Sequence, residues 1–92
     1  MNEKNLTLLY VAHLTMLTGC LKEKFSTAAD TLRQLVQELD DRYPGFAGMV
    51  IDSQGGGLRL NAAIYYNNPG QVPVSVINLD QPVQDRAKVT FW

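Results

Sequence analysis

"TAADTLRQLVQELDDRYPG", Thr27 to Gly45, decides how the rest of the chain is arranged. Leu32, Leu35, Val36 and Leu39 recur at i, i+3, i+4 and i+7, a spacing that stacks them on one stripe of an α-helix. The spacing predicts a helix over 27–43. Thr27 followed three residues later by Asp30 resembles a capping box, and Glu38 with Arg42 makes an i, i+4 pair on the wet face. Such a pair contributes only ~0.3–0.5 kcal/mol, so burial of the leucine stripe must hold the helix in place. Pro44 turns Tyr43 away from helical geometry, and the helix stops there.

A lone amphipathic helix needs a second layer to lie on, and the flanking segments read as strands. Upstream, "LTLLYV" (6–11) is apolar and β-favouring, and "AHLTMLTG" (12–19) is a loop or a single helical turn stopped by Gly19. "CLKEKFS" (20–26) sets Leu21 and Phe25 against Cys20, Lys22 and Lys24, so it can pair back on the first strand as an antiparallel hairpin. Glu23 falls on the inward face of that alternation and marks a half-open edge.

Downstream, "FAGMVIDSQGGG" (46–57) is a crossover with an apolar patch at Phe46, Met49, Val50 and Ile51 and a flexible glycine turn. "LRLNAAIYY" (58–66) alternates Leu58, Leu60, Ala62 and Ile64 against Arg59, Asn61, Ala63 and Tyr65, the pattern of a half-buried strand. "NNPGQ" (67–71) and "DQPVQD" (80–85) are turns, "VPVSVINL" (72–79) a short strand or extended connection, and "AKVTFW" (87–92) the final strand. Two strands, one long helix and two or three further strands make an α+β chain. A mixed four- to five-stranded sheet packs against one main helix, and the sheet's other face stays partly open.

Composition narrows the function classes. Ninety-two residues with 46% hydrophobic and 18% charged content suit one domain, 1–92, with a single modest core. Eight Lys plus Arg against nine Asp plus Glu leave a net charge of −1, and the basic residues are scattered along the chain. Neither nucleic acid nor an anionic membrane is therefore expected as a partner. Cys20, the only cysteine, excludes an intramolecular disulfide. The N-terminal apolar stretch carries Glu3 and Lys4, is broken by Thr7 and His13, and reads as neither signal peptide nor membrane span. A cytoplasmic protein is expected.

The constellations that could carry chemistry point to structure instead. His13 is the only histidine, and its nearest nucleophile, Cys20, has no evident orienting acid, so no catalytic pair is assigned. Asp40 and Asp41 are adjacent and diverge around the helix, which suits a solvated face. Gly55 to Gly57 lack the lysine of a phosphate loop and the context of a dinucleotide fingerprint. No catalytic residue, cofactor or metal ligand is expected. Aromatic residues on the strands remain, and Tyr65, Phe91 and Trp92 are the candidate partner-binding residues.

Over essentially its full length the pattern resembles the MoaD/ThiS-like sulfur carriers of the ubiquitin-like β-grasp superfamily. The residues that carry the resemblance are "LLYVAHLTMLTG" (8–19), the helix of 27–45, "LRLNAAIYY" with Asn61, and "LDQPVQDRAKVTF" (79–91), which is similar to an "LDTPLKDGDEVTF" type of ending. Arg86-Ala87 stand where that ending has Gly-Asp. The resemblance implies a β-grasp fold and a partner that is an activating enzyme or a synthase subunit in molybdopterin or thiamine biosynthesis. It also implies a C-terminal Gly-Gly tail whose carboxylate becomes the sulfur-bearing thiocarboxylate. The sequence runs to Trp92 without that tail, so carrier chemistry is assigned to no residue, and protein binding is the expected activity. A non-carrier β-grasp adaptor or subunit is the alternative.

Overall fold

The computed structural model describes residues 3–92. Strand β1 (Lys4–Tyr10) leads through the short helix α1 (Leu14–Thr18) to β2 (Lys22–Thr27), which pairs back antiparallel from Lys4↔Thr27 to Leu9↔Lys22. Gly19 ends α1 in a left-handed conformation, φ 76°, that costs glycine nothing. Helix α2 (Leu32–Arg42) then crosses one face of the sheet, followed by α3 (Phe46–Val50), β3 (Ile64–Asn67), β4 (Val74–Ser75) and β5 (Lys88–Phe91). The strand order is β2-β1-β5-β3-β4, with β5 parallel to β1 and every other pairing antiparallel. This is the expected mixed five-stranded α+β sheet with the main helix on one side.

All four residues of the predicted stripe, Leu32, Leu35, Val36 and Leu39, are fully buried. They pack on the inward residues of the sheet, among them Leu6, Leu8, Phe25, Val89 and Phe91. Fully burying such side chains stabilises by about 1.5–3 kcal/mol each, well beyond any surface ion pair on α2.

The start of α2 differs from the expectation. Thr27 is the last residue of β2, and the cap is Thr31, whose hydroxyl accepts from the Gln34 amide at 3.2 Å. Gln34 in turn accepts from the Asp30 amide at 2.7 Å, so the capping sequence is Thr31-Leu32-Arg33-Gln34. The next two amides, of Leu32 and Arg33, donate to the carbonyls of Gln81 and Leu79. The 79–81 loop thereby satisfies donors that a helix start leaves open. Arg33 also binds Asp80 at 2.8 Å, and that hydrogen bond lowers the Asp80 carboxyl below its usual pKa.

Glu38 and Arg42 do not pair. The buried Thr27 hydroxyl bonds Glu38, and Arg42 reaches Glu23 at 3.5 Å.

Two further expectations change after α2. Residues 46–50 form a helical turn, with Asp40 accepting from the amides of Gly45 and Ala47. A carboxylate at that point satisfies open backbone donors, and Gly45 permits the turn with φ 98°. The long strand expected over 58–66 shrinks to Ile64–Asn67, because residues 58–61 bend back and only Leu58 makes an isolated bridge to Ile51. Leu60, expected to face inward, is fully exposed.

Candidate functional site

The sheet has two unlike faces. Against α2 lie the even-numbered residues of β1 with Phe25, Ile64, Tyr66, Val89 and Phe91, nearly all buried. On the other face the strand registers lay down two rows. Lys22, Leu9, Thr90, Tyr65 and Ser75 form the first, and Lys24, Thr7, Lys88 and Asn67 the second. No helix covers these rows.

Tyr65 and Trp92 stand on this open side, 37% and 49% exposed. The Trp92 amide donates to the Ala63 carbonyl at 2.8 Å, which fastens the end of β5 to the segment leading into β3. Leu60, Asn61, Ala62 and Ala63 join the two aromatics around a shallow depression of about 360 Å³. Tyrosine and tryptophan are enriched at protein interfaces relative to the rest of a protein surface.

Phe91 is not part of that patch. It is fully buried, its ring stacked on Tyr10 at 6.0 Å and meeting Phe46 edge-on at 5.2 Å. Strand alternation makes Phe91 and Trp92 point to opposite faces, so neighbouring aromatics cannot share one docking role. Tyr66 also points inward, and its hydroxyl accepts from the Gln84 amide at 2.8 Å.

His13 is exposed at the start of α1 and makes no side-chain cap. Cys20 is half-buried and packs against the core. Among the described residues no group of three or more His, Cys, Asp or Glu side chains is placed to hold a metal ion. No helix there is long and apolar enough to cross a membrane.

A polar cluster at the sheet's edge escaped the sequence reading, although Glu23 signalled it by falling on the inward face. Its carboxylate accepts from the Tyr10 hydroxyl at 2.6 Å and the Tyr43 hydroxyl at 2.8 Å. Arg42 lies 3.5 Å from the other oxygen, with its guanidinium over the rings of Phe25 and Tyr43. Desolvation first, then the bond to Glu23, raises both phenols above the ordinary tyrosine range. Every partner in the cluster stabilises the packed state, and none presents a free base or nucleophile.

No family model and no curated protein matches the sequence. Solved structures match it along nearly the whole chain. The Haloferax volcanii HVO 2177 protein superposes with a TM-score of 0.77 at 17% identity, over 98% of this chain and 82% of its own. A chain of the Amycolatopsis orientalis BexX/CysO complex gives 0.74 at 17% identity, over 95% and 92%. Small archaeal modifier protein 1 from H. volcanii gives 0.72 at 15%, over 96% and 94%. At such identities the likeness is one of fold, and that fold is the ubiquitin-like β-grasp.

Proposed function

We propose that this chain is a small MoaD/ThiS-like protein that acts by docking on a protein partner, an activating enzyme or a synthase subunit, through the open face of its sheet. It has no chemistry of its own in this reading. The supporting observation is a β-grasp fold shared over nearly the full chain with a small archaeal modifier protein, with Tyr65 and Trp92 solvent-facing on the side that no helix covers. One of the similar structures is itself that of a complex, BexX/CysO.

The test is calorimetric titration of the chain against the adenylating, carrier-activating enzyme of the same organism. ATP is then added, and the complete gene product is searched by mass for an adenylate or thiocarboxylate. Binding that Tyr65→Ser and Trp92→Ala each weaken by about tenfold, the weight of a central aromatic contact, supports the docking face. An adenylate or thiocarboxylate supports carrier chemistry, and binding without either identifies the non-carrier adaptor. No binding of the unaltered chain sinks the reading.

A further inference from the structure

Three lysines scattered through the sequence come together on the open face. Lys24 and Lys88 flank Thr7, one from β2 and the other from β5, and Lys22 flanks Leu9 in the adjoining row. Strands lie about 4.8 Å apart and rise about 3.3 Å per residue, so the Lys24 and Lys88 backbones stand about 10 Å apart, with Lys22 about 7 Å along from Lys24.

All three are exposed, and among the described residues none has an ion-pair partner. Within the five strands no Asp or Glu shares this face, since the one strand carboxylate, Glu23, points inward to Tyr10 and Tyr43. Glu38, Asp40 and Asp41 belong to α2, on the opposite side of the sheet. The strand residues of this face thus carry three cations and no anion, and a carboxylate comes in only at its Asn5 end, where Asp85 accepts from the Asn5 amide at 2.7 Å.

Guarding the sheet edge accounts for part of this, because lysines on an edge strand discourage pairing with other chains. Lys22 and Lys24 lie on edge strand β2, but Lys88 lies on β5, paired on both sides. Edge protection gives no reason for a cation there.

Neutral Thr7, Leu9 and Thr90 separate the lysines, and the row of Lys22, Leu9 and Thr90 runs on to Tyr65, which lines the Trp92 depression. Few, spaced cations continuous with an apolar patch match a protein surface better than a phosphate lattice, which rewards dense positive charge.

We infer that the lysine end of the open face docks an acidic protein surface, with carboxylates about 7–10 Å apart beside an apolar side chain that enters the Tyr65 and Trp92 end. This rests on the docking reading above and names the chemistry of the partner.

The test compares the unaltered chain with K22E/K24E/K88E and K22Q/K24Q/K88Q in binding to the same activating enzyme between 50 mM and 500 mM NaCl, with thermal melts confirming that the variants fold. The unaltered chain is expected to lose affinity as salt rises, since exposed charges are screened within about 8 Å at 0.15 M. The Gln variant should bind about tenfold more weakly at low salt and show a flatter salt dependence, and the Glu variant should bind more weakly still. Variants that bind like the unaltered chain, while Trp92→Ala weakens binding, overturn the acidic partner and leave the docking reading intact. No binding by the unaltered chain removes both. A 20-nucleotide RNA or phosphatidylserine vesicles binding as tightly as the enzyme at 150 mM NaCl also overturns the inference, as the lysines are then a general polyanion site.

Discussion

The Tyr10 hydroxyl donates to the Glu23 carboxylate across 2.6 Å, joining the end of β1 to the inward side of the edge strand β2. Glu23 sits where the alternation of β2 calls for an apolar residue, with its side chain 13% exposed. It is tolerated there because Tyr10, Tyr43 and Arg42 converge on its two oxygens. Removing the carboxylate strands two phenols. Glu23→Ala is therefore expected to cost about 2–3 kcal/mol, and Tyr10→Phe about 1 kcal/mol. Urea unfolding at constant slope measures both, and a Glu23→Ala protein as stable as the parent would show that the cluster holds nothing together.

The same cluster sets an alkaline limit. Burial and Glu23 keep the Tyr10 phenol protonated far above the usual value of 10.0. Below pH 10 folded and unfolded chains both hold that proton, so stability does not depend on it. Above pH 10 only the unfolded chain releases it, and unfolding becomes easier by up to about 1.4 kcal/mol per pH unit from this group. Phenolate absorbance of Tyr10 should appear together with loss of the fold, and Tyr10→Phe should flatten the decline. Free titration of every tyrosine near pH 10 in a folded chain is the contrary result.

Thr31 caps α2 through the Gln34 amide, whereas among the described residues the Asp30 carboxylate caps no helix amide and lies 3.5 Å from the Lys4 ammonium. Thr31→Ala should cost about 1 kcal/mol, and Asp30→Ala, a change in an exposed side chain, within about 0.5 kcal/mol. Chemical denaturation of the two variants gives the order, and the reverse order would restore the cap to Thr27 and Asp30.

Arg86 has φ 67°, a left-handed conformation that favours glycine. It occupies the place of glycine in the strand-leading sequence of the carriers that this chain resembles, so the backbone keeps a geometry the side chain does not suit. A non-glycine residue in that region costs about 1–2 kcal/mol, and part of the gain from glycine is lost to a freer unfolded chain. Arg86→Gly is expected to raise stability by about 1 kcal/mol, or about 4–8 °C in Tm for a domain of this size. A lowered Tm would mean that Arg86 makes a contact worth more than the strain.

How much was legible in the sequence follows from which signals are local. The stripe of Leu32, Leu35, Val36 and Leu39 fixed the helix and its buried face, and the hairpin, the final strand and the turns followed from alternation and turn residues. The true cap was also local: Thr31 and Gln34 have the spacing, and Thr27 competed with them only because an apparent helix start can be drawn too early. Residues 58–61 alternate like a strand yet bend away, because what decides is whether a neighbouring strand is present to accept their hydrogen bonds, and here that reduces to the Val50 carbonyl, which accepts from the Arg59 amide beside the isolated Ile51–Leu58 bridge. Scattered lysines gave no hint of a patch. Lys88 comes to stand across Thr7 from Lys24 only through the parallel β1–β5 pairing, which joins the two ends of the chain.

The contrast between Phe91 and Trp92 tests the orientation of the last strand, and with it the docking face. Phe91 fills the core between Tyr10 and Phe46, so Phe91→Ala opens a cavity and should cost about 3–5 kcal/mol. Trp92 is half exposed and lines the same shallow depression as Ala63 and Tyr65, so Trp92→Ala should cost under about 1 kcal/mol while changing partner binding. Tm and partner affinity measured on both variants separate the two roles: one residue should move stability and the other affinity. If Trp92→Ala unfolds the domain and Phe91→Ala does not, β5 faces the other way, and both the Trp92 depression and the lysine rows lose their place on the open face.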